Sequence, residues 1–109
     1  MNFSEYQQRA METAVYPGQG TITGLEYTIL GLVGEAGEIA QRLKKHMRDG
    51  GTEFTLQIDL QKELGDVLWY CAALASEIKN PLDIIAMTNL EKLQSRKERG
   101  TIKGSGDNR

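Results

Sequence analysis

One cysteine, Cys71, leaves no partner for an internal disulfide and fits a reducing compartment. One histidine, His46, cannot supply the paired Glu-x-x-His ligands of a di-iron carboxylate bundle. No run approaches the ~18 consecutive apolar residues of a membrane span, and the N-terminal stretch lacks a basic segment followed by an apolar one. The chain is therefore expected to be cytoplasmic, with no membrane partner. Positive charge is not in excess either: 13 Lys and Arg stand against 15 Asp and Glu, a formal net charge of −2. Without a basic field to attract phosphate backbones, no nucleic-acid partner is expected. The two prolines, Pro17 and Pro81, both fall at breaks between apolar-periodic segments, and no alternating strand pattern competes with an all-α fold.

What is there reads as four helices in one small domain of 109 residues. A core of that size is modest, so assembly into a homo-oligomer is expected. The first helix is predicted from Ser4, as N-cap, to about Tyr16; the second from Gly24 to Arg48; the third from Thr55 to Ile78; the fourth from Pro81 to Lys97. Their apolar stripes are Leu25, Ile29, Leu32, Ala36, Ile39, Ala40, Leu43 and Met47 on the second helix, then Leu56, Leu60, Leu64, Val67, Cys71, Leu74 and Ile78 on the third. The fourth offers Ile84, Ile85, Leu90 and Leu93. Residues 1–99 form the helical domain, and 100–109 are a glycine-rich polar tail, free or ordered by a partner.

Beside these stripes run two pairs of carboxylates, Glu35 with Glu38 and Glu63 with Asp66. Residues at i and i+3 are neighbours on a helix face. If the two helices pack, four like charges meet, which is tolerable only with protons or a cation between them; a hard divalent ion, most simply Mg²⁺, fits an all-oxygen set. Gly31, Gly34, Gly37 and Gly65 lie among them in helix interiors, each at a cost of ~1 kcal/mol relative to alanine, which points to close helix approach or room for a ligand. The bland reading is a solvated surface laced by pairs such as Glu38 with Arg42 and Lys62 with Asp66, each worth a few tenths of a kcal/mol.

The run GLVGEAGE from Gly31 to Glu38, followed after residues 39–62 by ELGDVLWY from Glu63 to Tyr70, closely resembles the MazG-like nucleoside triphosphate pyrophosphohydrolases. The resemblance spans nearly the whole chain and is most specific at these two motifs. It implies a four-helix MazG-like bundle assembled as a dimer or tetramer, and metal-dependent cleavage of a (deoxy)nucleoside triphosphate to monophosphate and pyrophosphate. By it, Glu35, Glu38, Glu63 and Asp66 would be catalytic metal ligands for Mg²⁺, with Mn²⁺ as the substitute, and one glutamate would double as base. The resemblance also places an Asn or Lys of the last helix near the phosphates; here Asn89, Lys92 and Arg96 share a face, although the chain continues as Arg96-Lys-Glu-Arg-Gly100 where the family often reads Arg-Tyr-Pro.

Tyr70, one turn after Asp66, is a candidate for packing on sugar or base, against the alternative of a half-buried core tyrosine. Trp69, off the apolar stripe, points to a subunit interface. Cys71 reads as a core residue and His46 as a solvated one. The expected role is removal of a non-standard or surplus nucleotide. The rivals are a phosphoribosyl-ATP pyrophosphohydrolase-like enzyme and a non-catalytic helical interaction module.

Overall fold

The computed structural model covers residues 1–109 and is all-helical, with α1 at Phe3–Met11, α2 at Ile22–Asp49, α3 at Glu53–Glu77 and α4 at Leu82–Glu98. α3 is the middle layer. α2 packs antiparallel on one side of it, α1 and α4 pack on the other, and α2 touches neither α1 nor α4.

Helix ends follow from local hydrogen bonding. The N-cap of α1 is Asn2, which accepts from the Glu5 amide at 2.8 Å, rather than the expected Ser4. α1 stops at Met11 instead of reaching Tyr16: the Thr13 hydroxyl donates to the Ala10 carbonyl at 2.7 Å, and Tyr16 turns inward to give its hydroxyl to Glu77 at 2.5 Å. The linker then folds on Gly18 and Gly20, both with positive φ. The Gly18 carbonyl accepts from the Thr21 and Gly24 amides, which starts α2 two residues before the expected Gly24. Thr52 caps α3 by accepting from the Thr55 amide. At the other end of α3, Lys79 has φ 56° and the Asn80 amide reaches back to the Ala75 carbonyl, closing a Schellman-type terminus. Gln7 of α1 fastens this corner, donating to Ser76 and to the Asn80 carbonyl and accepting from the Leu82 amide that opens α4.

The core is smaller than the apolar stripes predict. Ala10, Ala72, Ala75 and Leu82 are its buried centre, with Tyr6, Met11, Trp69, Cys71 and Ile85 packed around them. Much of the predicted core lies in the open: Met47 is 77% exposed and Leu90 67%, and Ile29, Leu43, Leu64 and Leu93 are exposed as well. The reason is geometric. A helix with one neighbour can bury only the strip facing that neighbour, and α2 has α3 alone. Trp69 is the opposite case, because it packs against the core, donates its indole N–H to Thr13 at 2.9 Å and meets Tyr16 and Tyr70 edge-on. Off the stripe, it finds its partners within the chain in α1 and the linker. Cys71 is half-buried, and burial pushes its thiol above the ordinary range.

Beyond α4 the chain folds back on itself. Arg96, 4% exposed, donates to the Asp107 carbonyl at 2.6 Å, and Arg109 donates to the carbonyls of Thr101, Ile102 and Gly106.

Candidate metal centre

The α2–α3 pairing is antiparallel and close where it is lined with small residues. A Cβ at Gly31 would lie inside the ring of Tyr70, and one at Gly24 would meet the Gly18 carbonyl and the Glu77 carboxylate. These two glycines let α3 side chains pack directly against the α2 backbone. One turn beyond Gly31 the same contact brings Glu35 of α2 to Glu63 and Asp66 of α3, one carboxylate oxygen from each lying within 4.8 Å of the others.

The three differ in setting. Glu63 is buried, Glu35 is half-buried and Asp66 is exposed, so the cluster is closed at its base and open to solvent at its rim. The Glu35 carboxyl is pushed above its ordinary range, first by desolvation and then by the negative charges of Asp66, Glu63 and Glu38. Glu63 has a cationic partner: Arg42 Nε donates to its Oε1 at 2.9 Å. Three carboxylates with no imidazole or thiolate among them, one held against burial and repulsion, are the donor set of a hard divalent cation. Glu38 is exposed and outside the tight group, though its charge reaches Glu35. Neither the Glu38–Arg42 nor the Lys62–Asp66 pair forms; Arg42 crosses to α3 instead.

Tyr70 lies on Gly31 next to the cluster. Its phenol is pushed up by desolvation first, then by Tyr27, Glu35 and Asp66. The candidates on α4 are elsewhere. Asn89 and Lys92 border a cavity of about 300 Å³ with Asn80, Ile85 and Thr88, while the Arg96 guanidinium is enclosed by the C-terminal fold-back. α4 does not pack on α2, and neither Lys92 nor Arg96 forms an ion pair with the carboxylates; both reach Asp107 instead.

Sequence reasoning missed two features of the site. Arg42 was visible beside Glu38 but not its choice of Glu63. Glu77, the last residue of α3, accepts from the Tyr16 hydroxyl and the Gly20 amide and so pins the α1–α2 linker beside the stacked rings of Tyr16 and Tyr27. No local pattern marks a contact between residues so far apart in sequence.

A family model described as the MazG nucleotide pyrophosphohydrolase domain matches residues 23–101. The Gene 37 protein of Mycobacterium phage L5 is similar throughout, with 53% identity over an alignment covering 100% of both chains. No solved structure matches.

Proposed function

The chain belongs to the MazG nucleotide pyrophosphohydrolase family, and on that premise we propose that it hydrolyses a (deoxy)nucleoside triphosphate to the nucleoside monophosphate and pyrophosphate. The observation that carries the reading is the convergence of Glu35, Glu63 and Asp66 on one point between α2 and α3. A helical packing module has no use for three carboxylates held together at the expense of repulsion.

Glu35, Glu63 and Asp66 would hold Mg²⁺, or Mn²⁺ in its place, with Glu38 as the fourth carboxylate at the rim. A bound divalent ion would lower the pKa of water and offset charge on the phosphate oxygens. Arg42 holds Glu63 in place with a charge-assisted bond. Glu38, exposed and outside the tight group, is the residue we assign to accept the proton of the attacking water. Tyr70, packed against Gly31 beside the cluster, is the residue we assign to pack on the sugar or base. Asn89 and Lys92 are the α4 donors assigned to the phosphates, with Arg96 behind them; because α4 is remote from α2, this role requires a second copy to carry its own α4 to the site. We therefore take the working form to be a homo-oligomer. No helix is long and apolar enough to cross a membrane, consistent with a cytoplasmic enzyme that adjusts the nucleotide pool.

The test is turnover of a panel of canonical and modified nucleoside triphosphates with Mg²⁺ in ¹⁸O-labelled water, read by mass spectrometry. Label in the monophosphate, with pyrophosphate as co-product, is the expected result. Orthophosphate as the main product, or label in pyrophosphate alone, overturns attack at the α phosphorus.

A further inference from the structure

Arg96 is the one buried cation of the chain, and it has fewer partners than it can use. A guanidinium carries five N–H donors. This one, with its side chain 5% exposed, donates from Nη2 to the Asp107 carbonyl at 2.6 Å. Its buried Nε has no acceptor, and its ion pair is a long contact of 3.6 Å to the Asp107 carboxylate. A buried cation is costly unless it is paired and hydrogen-bonded. Lys92, one turn earlier on α4, reaches the same carboxylate at 3.7 Å. Two cations therefore share one carboxylate, which is itself almost wholly in water.

The end of the chain brings Asp107 to this place. Gly100 turns the backbone with φ 70°, and the Thr101 amide donates to the Arg96 carbonyl at 2.8 Å. Arg109 then gathers the carbonyls of Thr101, Ile102 and Gly106 into a closed loop. Alongside lies the cavity of about 300 Å³ whose polar border is Asn80, Thr88, Asn89 and Lys92, with amides, a hydroxyl and a cation but no carboxylate. The region has more donors than the tail has acceptors to offer. A solvent-exposed carboxylate at such distances holds weakly, whereas a phosphate group, with more charge and more acceptor oxygens, meets Lys and Arg donors with strong charge-assisted bonds.

We propose that Asp107 stands in for a phosphate: the C-terminal fold-back is a strap occupying an anion site made by Lys92 and Arg96, and a polyphosphate must displace it. Strap and phosphoanion exclude each other, so the apparent affinity for the anion is reduced by the fraction of chains in which the strap is released. The inference rests on the assignment of the α4 donors to the substrate phosphates and adds a self-inhibiting contact to it.

Inorganic pyrophosphate, added to the full chain in chelator, is the probe, with affinity read by calorimetry and the strap by amide hydrogen exchange. Saturating pyrophosphate is expected to speed exchange across residues 102–109 at least about fivefold. Asp107→Asn and Arg109→Ala, which loosen the strap without touching α4, should each bind pyrophosphate at least about threefold more tightly than wild type. In turnover assays Asp107→Asn should lower KM by a similar factor with kcat unchanged. Lys92→Ala should bind at least about tenfold more weakly, and its strap should no longer respond, which separates this site from other cationic surfaces. No measurable binding of pyrophosphate, exchange that stays the same or slows when it binds, or unaltered affinity in both strap variants overturns the proposal. Slower exchange would make the tail a lid that closes over the anion. Because pyrophosphate binding is read without turnover, a chain inactive on every triphosphate leaves the strap result standing, and a strap that ignores pyrophosphate leaves the hydrolase reading standing.

Discussion

Along its inner face α2 meets α3 with every group accounted for: Gly31 receives the Tyr70 ring, Arg42 bonds to Glu63, and Glu35 joins Glu63 and Asp66. Along its outer face the same helix carries Leu30 and Val33 in water and a glycine that nothing approaches. The two faces have similar helix-forming residues, so propensity does not separate them. What separates them is the presence of a partner. The inner face is a contact completed within one chain, and the outer face meets no other helix of that chain.

The sharpest break in that comparison comes from the carboxylates. Glu35→Gln and Glu63→Gln should each lower turnover by about a thousandfold, measured as kcat/KM with saturating Mg²⁺, while sedimentation is unchanged. The pair should then split on stability in chelator. Glu35 is the carboxylate pushed up by desolvation and its acidic neighbours, so its neutral replacement removes repulsion and the melting temperature should hold or rise. Glu63 accepts the Arg42 bond from a buried position, so its replacement should melt lower. Normal turnover in both variants would show that the inner face is not the site.

Gly31→Ala is expected to destabilise the fold by about 1–3 kcal/mol, because the added methyl must displace the Tyr70 ring; urea unfolding measures it. An unaltered midpoint would mean that α2 and α3 are not in the close register described. Tyr16→Phe should cost about 1 kcal/mol, through the lost bond to Glu77, with assembly unaffected because the linker belongs to the inner side. The smallest effect is expected for Lys92→Ala, whose single bridge to the exposed Asp107 is long, at 3.7 Å, and worth little by itself. If α4 of a second copy serves the phosphates, this change raises KM several-fold and leaves Mg²⁺ affinity alone. Unchanged kinetics would remove Lys92 from the site.

The helices and their order were legible because apolar periodicity and the breaks at Pro17 and Pro81 are local signals. Helix ends were less so. α1 stops where Thr13 and Tyr16 take hydrogen bonds that a continued helix would not allow, and one of those partners, Glu77, is at the far end of α3. The carboxylate pairs were legible because i and i+3 spacing is fixed by the helix itself.

Sequence alone thus determined an all-α chain, the two acidic motifs, and their resemblance to a nucleotide pyrophosphohydrolase family, since each depends on spacing within one helix or on residues read in order. Tertiary structure decided which helices touch. Packing α2 on α3 but not on α4 drew Glu35, Glu63 and Asp66 together, left Glu38 at the rim, gave Arg42 to Glu63, and kept Asn89 and Lys92 away. It also decided which apolar residues form a core. An amphipathic stripe records which residues share a face, but not which helix covers it, and on α2 the stripe residues Leu43 and Met47 stay exposed.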